Sequence, residues 1–177
     1  MGDIGLWNAR DYLMKDLLEK LSSYNIFNYL LPGVVFVILA DTLTAFHFIQ
    51  EDIVISVFVY YFIGLIISRL GSIVIEPILK WSKFVKFAPY ADFVTASKED
   101  KLLEVLSEAN NMYRTFCSLF VSLILLKIYE SLSISFPIMR RCATEVLVVG
   151  MLVLFLFSYR KQTQYITKRI QSNKKKD

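Results

Sequence analysis

The chain has 177 residues, 55% of them hydrophobic, with a mean hydropathy of +0.49 and a formal net charge of +4. Soluble domains carry about 45–50% apolar residues, so an ordinary water-soluble fold is excluded. The basic residues flank apolar runs instead of forming one stripe, which points to anionic lipid headgroups as partner and away from direct nucleic-acid binding.

Residues 1–23 are charged yet periodic. Leu6, Trp7, Leu13, Met14, Leu17, Leu18 and Leu21 fall on one helical face, opposite Arg10, Lys15, Asp16, Glu19 and Lys20. Two readings stay open: a helix lying flat at the membrane surface with Trp7 inward, or one packed on its own protein. No apolar core follows a short basic leader, so no cleavable signal is expected.

A first span is expected over about 24–49, because Leu21 to Ala40 is twenty residues without a charge, enough to cross a hydrocarbon core of about 30 Å. Pro32-Gly33 within it predicts a bend or a short re-entry turn. Gln50-Glu51-Asp52 returns the chain, and a second span covers about 53–75. Gly64, Ser68 and Ser72 recur every fourth residue there, with Gly71 adjoining. Such a small-residue strip admits another helix closely, within the chain or in a homo-oligomer. Arg69, near the end of this span, is long enough to snorkel to the membrane surface.

Residues 76–114 form a polar, helical module. Lys80, Trp81, Lys83 and Lys86, interleaved with Phe84 and Phe87, read as a helix on the membrane surface. Ala88-Pro89-Tyr90 breaks it. Ser97 through Asp100 resembles a capping box, predicting a helix start at Ser97. That helix carries Leu102, Leu103, Leu106, Ala109 and Tyr113 on one face and runs on into a third span over about 115–134, with Asn110-Asn111 as the place for a bend. A connection broken at Pro137 leads to a fourth span over about 143–159. A basic tail, 160–177, follows.

Counting Lys and Arg sets the orientation. The N-terminal segment, the 76–114 module and the tail hold three, six and seven, whereas the connections on the other side hold none and two. Basic residues are retained on the cytoplasmic side, so both termini are expected there, in a bacterial inner membrane. The fold class is therefore all-α: a polytopic membrane protein with four transmembrane helices, an amphipathic N-terminal helix and a short cytoplasmic helical module.

Ionisable residues inside a span cost roughly 2.5–3.5 kcal/mol each on insertion scales, so they are expected to have partners. Asp41 lies roughly 24 Å beyond Asn25, and Lys127 roughly 18 Å beyond Thr115, with Glu130 one turn further. Asp41, Lys127 and Glu130 are thus expected to share a layer, either as an ion pair in register or as a polar path. His47 reads as an interfacial side chain, and Cys117 and Cys142 as free thiols without metal-ligand spacing.

Catalytic signatures are missing. No phosphate-binding G-x-x-x-x-G-K-[ST], dinucleotide-binding G-x-G-x-x-G, metalloprotease H-E-x-x-H or nucleophile G-x-S-x-G occurs, and one histidine excludes a His-rich metal site. No enzyme activity, metal or cofactor is expected.

Four spans with cytoplasmic termini, a compact cytoplasmic module and the stretch Tyr24-Asn25-Ile26-Phe27-Asn28-Tyr29-Leu30-Leu31-Pro32-Gly33 resemble the small membrane subunits (KwaA-like) of bacterial anti-phage defence systems of the Kiwa type. The resemblance implies a homo-oligomeric sensor, a tetramer, that signals to a soluble cytoplasmic partner when phage perturbs the envelope. It implies no catalytic residues. Three classes remain open from the residues: a membrane sensor or scaffold, an oligomeric pore or depolarising effector with Asp41, Lys127 and Glu130 near its path, and a small ion-coupled transporter. The last is weakest, since the two halves show no repeat.

Overall fold

The computed structural model describes residues 25–174. The amphipathic helix expected over 1–23, with Trp7, lies outside them. Of the described residues 86% are helical and none is in a strand. Four helices are long and apolar enough to cross a membrane: α1 (Ile26–Leu43), α2 (Ile53–Trp81), α4 (Leu102–Ser135) and α6 (Ala143–Lys174). Two shorter helices, α3 (Tyr90–Glu99) and α5 (Pro137–Arg141), sit at opposite ends of the bundle. The 34 residues of α4 and 32 of α6 would measure about 51 and 48 Å, so both extend well past a core of about 30 Å.

Helices α1, α2 and α4 form the core. Ala40, Ile67, Leu119 and Leu123 are buried together, with Val35, Phe36, Ile63 and Phe116 around them, and Phe48 folds back onto the cluster from the α1–α2 connection. Helix α6 lies beside this trio. Phe155 stacks on Phe62 of α2, while Val146 to Val149 and Leu152 stay exposed. Exposed apolar side chains also run along α2 and α4, Ile53, Phe58 and Ile124 among them. Contiguous apolar surface on this scale is costly in water and expected against lipid.

Helix α1 meets α2 at two glycines. A methyl group at Gly33 would fall on the backbone carbonyl of Tyr60, and one at Gly64 on that of Tyr29. The two helices therefore touch backbone to backbone, and each glycine faces a residue four positions before the other. One step along α2, a Cβ on Gly71 would approach the Arg114 carbonyl and Ser118 Cβ at 3.2 Å each. Ser68 is buried at the same seam. The strip of small residues on α2 is thus used within one chain, and Gly64, Ser68 and Gly71 leave no room there for a second copy.

Buried polar groups link the three core helices. Thr115 Oγ1 lies 2.9 Å from the Asn111 carbonyl, 3.2 Å from Asn28 Oδ1 and 3.3 Å from Ser68 Oγ. A hydroxyl has one proton to donate and can also accept, so Ser68 can donate to Thr115 while Thr115 donates onward. Unmet, each group would cost about 1–3 kcal/mol.

Several boundaries differ from the sequence expectation. No re-entry turn forms at Pro32-Gly33. A π turn, Ile26–Leu30, is closed by the Leu31 N–H donating to the Ile26 carbonyl, and Pro32 follows at once. The same device recurs at Gly71–Ile75, closed by Glu76 and followed by Pro77. The wider turn carries away the carbonyl that a proline ring would strike in an α-helix, so neither proline breaks its helix. Helix α1 stops at Leu43, not near 49, where Thr44 turns extended with its hydroxyl donating to the Ala40 carbonyl. Helix α2 begins at Ile53, as expected, capped by Asp52, whose Oδ1 accepts from the N–H groups of Val54 and Ile55. It ends at Trp81, and Lys83 at φ 60° reverses the chain, so the expected surface helix over Lys80 to Phe87 does not form. Ser97 lies in the last turn of α3. The helix start is instead marked by Asp100, whose Oδ1 accepts the Leu102 N–H. Helix α4 passes Asn110-Asn111 without interruption, and the tail continues α6 to Lys174.

The glycine contact gives a direct test. Gly64→Ala or Gly33→Ala should lower thermal stability in detergent by about 1–3 kcal/mol or more, since only backbone can yield. Gly150→Ala, with nothing within 4 Å, should leave it unchanged or raised.

Candidate functional site

Among the described residues Glu76 joins the largest set of ion pairs. It follows directly on the apolar stretch of α2 that ends at 75, and it is buried. Its Oε1 lies 2.7 Å from Lys80 Nζ and 3.5 Å from Lys161 Nζ, and its Oε2 lies 2.7 Å from Arg114 Nη1. Three helices thus supply cations to one carboxylate. Lys161 Nζ also donates to the Ser72 carbonyl at 2.6 Å and Ser72 Oγ at 2.8 Å, binding α6 to α2. Lys80 lies over the Phe87 ring at 4.1 Å and Lys161 over Tyr165 at 5.8 Å.

Electrostatics follow from this crowding. Burial pushes the Glu76 carboxyl up, but the Lys80 hydrogen bond and the charges of Lys161 and Arg114 outweigh it and hold its pKa below the ordinary value. Burial pulls the Lys161 ammonium down, with Arg114 and Lys80 adding to it against the attraction of Glu76.

Beside this cluster a half-open cleft of about 620 Å³ lies between α2, α3, α4 and α6. Arg69, Lys80, Arg114 and Lys168 line it, with Phe87, Tyr90, Phe93 and Tyr165; Glu76 is its one carboxylate. Helix α3 closes one side, held to α6 by Tyr90 against Tyr165 (centroids 5.7 Å apart) and by Lys98 Nζ donating to Asn173 Oδ1 at 3.0 Å.

The intramembrane charges expected from sequence lie at the other end and do not form one cluster. Lys127 pairs with Glu130 at 2.8 Å, as their spacing implies. Glu130 Oε1 accepts the Ala45 N–H at 2.9 Å and so anchors the α1–α2 connection to α4. Asp41 does not meet them. Because α1 ends at Leu43, Asp41 sits in its last turn and binds His47 Nδ1 at 2.9 Å. Of the expected surface residues, Trp81, Lys83 and Lys86 are exposed, and Lys80, exposed as well, pairs with Glu76. Arg69 donates to the Tyr29 hydroxyl at 3.1 Å rather than reaching outward. Cys117 and Cys142 are free thiols. Among the described residues no group of His, Cys, Asp and Glu could hold a metal ion.

No protein-family model matches this chain, and no curated protein or solved structure does either.

Sequence reading missed Glu76. It stands beside Pro77 at the edge of an apolar run, where an acid reads as a simple helix boundary. Its i, i+4 spacing to Lys80 was the one local signal.

Replacing Glu76 with Gln should destabilise the protein by about 3 kcal/mol, because three cations lose their shared anion. A lowered carboxyl pKa contributes stability above the ordinary carboxylate pKa, and that part is lost as pH falls through the depressed value. Thermal unfolding from neutral pH to about pH 3 should therefore fall less steeply in E76Q than in the unaltered protein. Parallel curves would assign the acid sensitivity elsewhere.

Proposed function

We propose that this chain is a non-catalytic, multi-pass protein of a bacterial inner membrane, with cytoplasmic termini, that acts as a sensor or scaffold through a soluble protein partner. The four apolar helices and the basic-residue count support the membrane placement. One observation carries the partner: the first turns of α4 extend past the Glu76 level and expose Leu102, Val105 and Leu106, with the exposed carboxylates of Glu104 and Glu108 together on the neighbouring face. In the proposed orientation this apolar ridge stands in water, where it has no lipid to cover it. A partner helix or groove with apolar centre and basic rim would fit it.

The pairing of Lys127 with Glu130 and of Asp41 with His47 gives each charge a local partner, which favours a structural role for them over an ion path. The likeness of layout to the membrane subunits of Kiwa-type defence places a defence role among the readings, together with a homo-oligomer. Such an assembly would have to use a surface other than Gly64, Ser68 and Gly71.

The experiment is affinity capture of the full chain from its native host. A soluble partner should co-purify with the unaltered protein and be lost, at least tenfold, with Leu102→Ser/Val105→Glu, while thermal stability holds. Equal capture by the variant would remove the ridge as the docking surface. Membrane-potential dye during overexpression should report no depolarisation; depolarisation would favour a pore.

A further inference from the structure

We propose that the cleft between α2, α3, α4 and α6 is a seat for a phosphate-bearing anion, and that its occupant is the headgroup of an anionic phospholipid. The inference needs the membrane placement above but not the protein partner.

Charge is the first argument. Arg69, Lys80, Arg114 and Lys168 line the cleft, and Lys161 lines a small recess joined to it through Arg69, Ser72 and Tyr165. Five cationic side chains face one carboxylate. Glu76 is already saturated by Lys80, Arg114 and Lys161. Arg69 has only the neutral Tyr29 hydroxyl, and among the described residues Lys168 makes no ion pair. Like charges gathered at a partly desolvated site repel, and a bound anion relieves that repulsion. A guanidinium also offers paired N–H donors that match phosphate oxygens.

Position and shape identify the source. The Glu76–Arg114 and Ser72–Lys161 bonds bring chain positions 76, 114 and 161 to one level. Those positions are where three apolar stretches end, so the cleft opens at the depth of lipid phosphates. A volume of about 620 Å³ is far larger than a phosphate ion needs and lies within the range of organic-ligand pockets, about 300–1,000 Å³. Phe87 and Phe93 give the cleft an apolar wall that a free ion would not use. Ser72 and Gln162 add groups able to bind glycerol hydroxyls. Trp81 and Phe84, in the segment between the cleft residues Lys80 and Phe87, are exposed, as interfacial anchors are.

The test uses the purified, delipidated full chain and native mass spectrometry with phosphatidylglycerol or phosphatidylcholine added. Phosphatidylglycerol should bind at least tenfold more tightly than phosphatidylcholine. Arg69→Gln/Lys168→Gln should weaken its binding by about thirtyfold, the effect of two interfacial cations. The same charge loss at the far end, Arg140→Gln/Arg141→Gln, should change it little. Arg69→Lys/Lys168→Arg should retain binding, which separates the seat from a folding defect. Inorganic phosphate at millimolar concentration should not displace the lipid. Displacement would keep the anion seat but overturn the lipid as its occupant. Equal binding of the two lipids, or unchanged binding by Arg69→Gln/Lys168→Gln, would overturn the proposal.

Discussion

A buried carboxylate at the end of an apolar helix must find cations, and the way Glu76 finds them sets the arrangement of the basic end of this protein. Its partners come from its own helix (Lys80), from α4 (Arg114) and from α6 (Lys161). Each of these lies at the edge of an apolar run. Pairing them fixes how far each helix is displaced along the bundle, so the apolar stretches line up at one level. An ion cluster of this kind is a poor source of net stability, because desolvation offsets much of the attraction. Its use here is register: a one-turn slip of α4 or α6 would strand charges beside exposed apolar side chains.

The contact between α1 and α2 works by a different principle. Within lipid, apolar side chains gain little by leaving one apolar surface for another, so helices associate through close packing and hydrogen bonds. Gly33 and Gly64 let backbones touch, and Thr115 with Asn28 and Ser68 ties α4 to that pair. Helix α6 has no such contact in its apolar middle and is held chiefly at its basic half. That leaves a tight three-helix core with a fourth helix fastened at one end. In the proposed setting the cleft, the register cluster and the exposed ridge of α4 all lie on the same side, where a signal from the bilayer would reach a soluble partner.

Much of the architecture was legible in the sequence, because long charge-free runs have few alternatives to a helix of that length. The small-residue strip marks close packing within the chain, Gly64 against Gly33 and Tyr29 of α1 and Gly71 against Arg114 and Ser118 of α4. Pro32 drew attention as a helix breaker and concealed the glycine beside it. The π turns that accommodate Pro32 and Pro77 have no local sequence signature. The end of α1 was misplaced because Ala45 to Ile49 is as apolar as the helix before it. What stops the helix is the Glu130 bond to Ala45 and the fold-back of Phe48, both contacts between distant segments. The partners of Lys80 and Arg69 were hidden for a similar reason. A basic residue near a span end usually snorkels, and only the third dimension places Glu76 and Tyr29 within reach.

The most direct test of the register cluster is a double-mutant cycle on Glu76 and Arg114, read by thermal unfolding of the full chain in lipid nanodiscs. If the pair sets the register, E76Q and R114Q should each destabilise strongly and the double variant should recover a large part of the loss, with a coupling of about 1–3 kcal/mol. Strict additivity of the two single effects would contradict the account, since it would mean that these groups hold the helices independently of each other.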